Sequence, residues 1–158
     1  MTPSQLYPVE FLDETLDINA TENYDLVVEV STEGIAITVL DLLRGKYVLF
    51  RNYPRAANGI TLLQALQEIT DSDDFLKRHY RKTIVITPSS DSTLVPSQLY
   101  DAELKDQYFR FNVPNPEGVN IISNSLPFPG ASVLFSTQRS ISEIVSSKWP
   151  GLIPWHHS

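Results

Sequence analysis

The chain has 158 residues, 42% of them hydrophobic and 20% charged. A chain of that size buries roughly 70% of its unfolded surface in a globular domain, without a disulfide or metal staple. It contains no cysteine, which excludes thiol catalysis and thiolate-bound zinc. The net charge of -7 is unevenly spread, with nine acids and no Lys or Arg before Arg44, and such an acidic half argues against nucleic acid or an anionic membrane as partner.

Residues 1–23, "MTPSQLYPVEFLDETLDINATEN", lack periodicity and are expected to form an irregular acidic arm packed through Phe11, Leu12 and Leu16. They show neither the basic segment nor the apolar stretch of an export signal. No run in the chain approaches the ~20 apolar residues of a membrane span, so the expected location is the cytoplasm.

From Leu26 the pattern changes. Leu26, Val28 and Val30 alternate with Val27 and Glu29, and Ile35, Ile37 and Val39 alternate with Ala36, Thr38 and Leu40. Alternation predicts two strands, and Thr32-Glu33-Gly34 supplies the turn between them. A second turn near Arg44-Gly45 leads to a third strand over Lys46 to Tyr53. Thr61 is a predicted N-cap for a helix through Leu62, Leu66 and Ile69, continued or restarted through Lys82 by acids at Asp71 to Asp74 and bases from Lys77. "TIVIT", Thr83 to Thr87, reads as a strand buried on both faces. The order so far is βββαβ.

Beyond Pro88 the predicted elements are a short extended "TLV", a weak helix opening near Pro96-Ser97, and strands at "YFRFN", "GVNIIS" and "ASVLF". Ser140 and Glu143 have the spacing of a capping box for a last helix through Ile141, Ile144 and Val145, stopped by Pro150-Gly151. The tail "LIPWHHS" reads as a short edge strand.

A meander, a helix, a buried strand and a helix follow one another as in a ribonuclease-H-like domain, the building block of actin-like ATPases. At "YDLVVEVSTEGIAITVLDLLRGKYVLFRNYP", "TIVITPSSDSTLVPSQLYD" and "SVLFSTQRSISEIVSSKWPGLIPWHHS" the chain resembles an uncharacterised family of Bacteroidetes proteins, domain-of-unknown-function family 3822. The likeness covers most of residues 24–158 and is most specific at "TLVPSQLYD". It implies an α/β, ribonuclease-H-like fold with a mixed sheet. Because the sequence stops at Ser158, it also implies the first of two lobes. It implies no activity.

An actin-like phosphate loop needs an Asp for magnesium-bound water and a Gly where backbone approaches phosphate. On that pattern Glu29 takes the Asp position, Ser31 the Gly position, and Thr32 lies beside it. Glu29 is one methylene too long and Ser31 adds a Cβ, so the stretch reads as a structural hairpin and no cofactor is expected. A two-metal nuclease needs carboxylates converging ~3.5–4 Å around paired ions. Glu29, Glu68 and Asp91 correspond only loosely, and no metal is expected. His79 sits among cations, and the adjacent His156 and His157 would point to opposite faces of a strand.

What remains is surface. Phe128 lies between two prolines, and Trp149, Leu152, Ile153 and Trp155 cluster near the end. The expectation is a non-enzymatic scaffold or interaction module. Its apolar docking face would meet a protein partner or second lobe, or support weak self-association. The alternative is a degenerate nucleotide-binding half of an actin-like ATPase.

Overall fold

The computed structural model describes residues 8–55, 59–89, 91–114, 117–128 and 130–156. The chain divides into two compact units, Met1–Ile86 and Thr87–Ser158. The single domain expected over 24–158 set no boundary there, because the division falls within one strand.

The alternating stretches of the first unit form the expected meander. Strands β2 (Asp25–Ser31), β3 (Gly34–Asp41) and β4 (Lys46–Pro54) pair antiparallel, and β5 (Lys82–Thr87) pairs parallel with β2. A strand the sequence reading missed, β1 (Val9–Leu12), adds antiparallel to β4, so the unit's order is β1-β4-β3-β2-β5. The arm is therefore not irregular over those residues. Phe11 meets the Phe50 ring, but it and Leu12 are both more than half exposed, so the strand is held by its pairing with β4 rather than by burial of these side chains.

Helix α1 (Leu62–Ser72) starts at a reciprocal cap. The Gln64 amide N–H donates to Thr61 Oγ1 (3.1 Å) and the Thr61 N–H donates to Gln64 Oε1 (2.9 Å). Leu66 and Ile69 are buried. The sheet face bearing Leu26, Val28, Val30, Ile35, Ile37, Val39, Leu49 and Val85 is buried too and forms the unit's core. The expectation that "TIVIT" is buried on both faces holds only in part: Val85 and Thr87 are wholly buried, while Ile84 and Ile86 are half-exposed.

The predicted helix beyond Asp73 is absent, and Asp73 is the reason. Its Oδ1 accepts the N–H groups of Phe75 (2.8 Å) and Leu76 (3.3 Å), bonds that hold the backbone in a turn. Its Oδ2 accepts from Arg51 Nη1 (2.8 Å) and the Tyr53 hydroxyl (2.5 Å). Arg51 also pairs with Glu10 of β1 and stacks 4.9 Å above the Phe75 ring. Burial alone would lower the Arg51 pKa, but the two carboxylates outweigh it and hold the guanidinium above its ordinary value. Burial, reinforced by the bond to Asp73, pushes the Tyr53 hydroxyl up to about 12.

Residues before β2 are stitched to the segment before β5. Thr21 Oγ1 donates to the His79 carbonyl (2.8 Å), Arg78 Nη1 donates to the Ile18 carbonyl (2.7 Å), and the Arg81 N–H donates to the Tyr24 carbonyl (3.0 Å).

In the second unit, β6 (Ser92–Pro96), β8 (Ala131–Gln138) and β7 (Val119–Leu126) form an antiparallel sheet of order β6-β8-β7. Helix α2 (Lys105–Asn112) follows a 3-10 turn at Ala102–Leu104 and takes the place of the strand predicted at "YFRFN". Strand alternation would put Phe109 and Phe111 on one face. The helix instead buries Phe109 against Val95 and Leu134 and leaves Phe111 exposed. Helix α3 (Arg139–Lys148) follows β8 directly, with Gln138 at its N-cap and no side-chain cap bond. Ser140 and Glu143 therefore form no capping box, because the helix begins one residue before Ser140. The chain ends its described course in a two-residue strand, β9 (Trp155–His156), and the Asn124 amide donates to the Pro154 carbonyl (3.1 Å) and accepts from the His156 N–H (3.0 Å). Among the described residues no helix is long and apolar enough to cross a membrane.

Candidate functional site

Residues proposed for a phosphate loop are spent on closing the hairpin. Ser31 Oγ accepts from the Glu33 N–H (3.2 Å) and donates to the Gly34 carbonyl (3.3 Å), and the Glu33 carbonyl accepts from the Arg55 N–H (2.8 Å). Gly34 has φ 143, and a Cβ there would lie 2.2 Å from the Tyr53 carbonyl oxygen. The close backbone approach that only glycine permits is made to β4. Thr32 is exposed at the tip, and Glu29 is half-buried in mid-strand, paired across to Ala36 and Ile86.

Glu29 on β2 and Glu68 on α1 belong to the first unit and Asp91 to the second. Among the described residues no three His, Asp or Glu side chains form a group able to hold a metal ion. His79 is exposed, with its carbonyl taken by Thr21, and His156 lies against the Phe135 ring at 5.2 Å. His157 lies outside the described residues.

The register of the first unit's sheet produces something the sequence reading passed over. Successive partners across the strands place Phe11, Phe50, Thr38, Val27 and Ile84 in one row, and Val9, Asn52, Ala36, Glu29 and Ile86 in the next. Both rows lie on the face opposite Ile35, Ile37 and Val39. A water-facing side of an antiparallel sheet is ordinarily polar. This one is mostly apolar and only partly covered: Phe11 is 68% exposed, Val9 53% and Phe50 38%. Phe11 and Phe50 pack on each other, with ring centroids 6.4 Å apart. The alternation that revealed the core also encoded this face, but the inner residues drew the attention.

Of the residues expected at a docking surface, Phe128 is 92% exposed, Ile153 63% and Trp155 42%, whereas Trp149 and Leu152 are half-buried. Leu152 and Ile153 also line a cleft of about 400 Å³ in the second unit, together with residues at the start of α2, along β7 and on one side of α3, Ser142 and Ser146. Nothing in the sequence announced this cleft. Its walls come from four separated segments; Ser142 and Ser146 read as helix-capping residues and Ser123 as part of a strand.

A family model described as "Protein of unknown function (DUF3822)" matches residues 13–158. No curated protein matches the chain. Among solved structures, the chain is similar to a Bacteroides thetaiotaomicron VPI-5482 protein described as having an actin-like ATPase fold and unknown function. The TM-score is 0.79 at 19% identity, over 89% of this chain and 55% of that one. The chain thus spans about half the length of that protein and shares its fold over that part. The ribonuclease-H-like, actin-like α/β class expected from the element order is the class observed.

Proposed function

The chain belongs to the DUF3822 family of proteins of unknown function, and from that premise we propose that it acts as a non-enzymatic interaction module, a cytoplasmic scaffold with an actin-like lobe. One observation carries the reading: the outer sheet face, where the Phe11–Phe50 pair stands exposed within two largely apolar rows. An apolar patch of this kind usually marks a surface that another protein covers. The occupant that fits is an apolar protein surface. Phe128, Trp149, Leu152, Ile153 and Trp155 offer a second such surface in the other unit.

Sedimentation over a concentration series tests the proposal, with a second copy of the chain as the probe surface. The expected result is weak, concentration-dependent association. Phe11→Ser with Phe50→Ser should reduce it while leaving the thermal midpoint nearly unchanged, since both side chains are exposed. Trp155→Ser should reduce it if the second surface takes part. A chain that stays monomeric throughout, and binds no apolar dye, would show that these faces do not dock.

A further inference from the structure

Lys105 is the first residue of α2 and half-buried, and it lines the second unit's cleft. Among the described residues it has no carboxylate partner. A cation at a helix N-terminus opposes the macrodipole, and the acids of the same segment, Asp101, Glu103 and Asp106, are exposed and do not line the cleft. Ser142, on α3, lines the same cleft and is 9% exposed, and its Oγ is buried with no hydrogen-bond partner. A buried hydroxyl left unpaired costs stability unless something arrives to pair with it. Asn120, Ser123 and Ser146 add further polar groups, and none of the lining side chains is acidic.

Opposite these groups the walls are apolar, formed by Ile121, Leu152 and Ile153. Four consecutive residues of β7, Asn120 to Ser123, line the cleft, and β7 is an outer strand of its three-stranded sheet. A volume of about 400 Å³ is in the range of small-molecule sites.

We propose that this cleft binds a small organic carboxylate with an apolar body, its anionic head on Lys105 and the Ser142 hydroxyl, its body against Ile121, Leu152 and Ile153. The site lies wholly within the second unit and does not depend on the interaction-module reading. Its specificity would come from charge: a carboxylate forms an ion pair with the Lys105 ammonium that a neutral amide of the same shape cannot.

The test uses 4-phenylbutanoate and 4-phenylbutanamide as probes, titrated at millimolar concentration and followed by amide chemical shifts. Saturable shifts at Ile121, Ser142 and Ile153 are expected with the carboxylate, and about tenfold weaker binding with the amide, a difference of about 1.4 kcal/mol. Lys105→Gln should weaken the carboxylate about tenfold and leave the amide unchanged. Equal binding of the two probes to the native chain would overturn the proposal, as would binding of neither. Unaltered carboxylate affinity in Lys105→Gln at an unchanged thermal midpoint would do the same.

Discussion

The two units spend their interiors differently. In the first, the sheet's inner face and α1 close on each other, and a gap between them lined by Ile35, Tyr53 and Ile69 holds about 10 Å³, roughly one water. Asp73 is wholly buried there, and both of its oxygens are engaged. In the second, a small core around Phe109 and Leu134 sits in the same unit as a cleft of about 400 Å³ with an unpaired hydroxyl in its wall. Tight packing favours a fixed scaffold, whereas room and an unmet polar group favour binding. On the two proposals above, labour is divided: the first unit would hold shape and present a face, and the second would admit a ligand.

The sharpest way to break that contrast is at Asp73. Asp73→Ala leaves a mostly buried Arg51 with only the more exposed Glu10 as carboxylate partner and deprives Tyr53, Phe75 and Leu76 of their shared acceptor, so a loss of about 3 kcal/mol is expected in denaturant unfolding. A loss below about 1 kcal/mol, the worth of a surface pair, would mean the first unit is not tied together there. Next comes α1. Leu66→Ala should cost about 2–5 kcal/mol, and Gln67→Ala, one residue on and exposed, within about 0.5 kcal/mol. Equal small effects would undock the helix from the core.

Alkaline titration sharpens the comparison further, because burial pushes both Tyr53 and Tyr80 of the first unit up to about 12. For these groups the folded pKa lies above the unfolded value of about 10, so the stabilisation is complete below about 10. It is lost as pH rises towards 12. The first unit should therefore weaken across that window, and Tyr53→Phe with Tyr80→Phe should flatten the slope of stability against pH. An unchanged slope would show that neither hydroxyl is held neutral by its surroundings. The smallest effect is expected at Ser142→Ala, which removes an unpaired buried oxygen and should change stability by no more than about 1 kcal/mol, in the stabilising direction. A clear loss would reveal a partner for that hydroxyl in the folded protein.

Much of the first unit was legible because its signals are local. Strict alternation from Leu26 to Leu40, the turns at Gly34 and Gly45, and Thr61 before Leu62 each act over a few residues. The end of α1 was not legible, since Asp73 turns the chain through Phe75 and Leu76 while its other oxygen is held by Arg51 and Tyr53, residues 22 and 20 positions away. Phe109 and Phe111 misled because spacing by two suits a strand, and only Val95 and Leu134 decide that one is buried. The outer sheet face was written in the same alternation as the core, but its exposure depends on what covers the sheet. The cleft was beyond reach: Lys105, Ser123, Ser142 and Leu152 have no meaning together until the second unit has folded.

The stitches from Thr21 and Arg78 carry a consequence for synthesis. They join residues 58 and 60 positions apart, so neither can form until residues 78 and 79 have been made. At about 5–20 residues per second, the early segment waits roughly 3–12 s for its partners. Non-local pairing of this kind slows folding. During that interval Val9, Phe11 and Leu12 precede a meander not yet flanked by β5. A chaperone that shields a nascent chain would find an apolar target there.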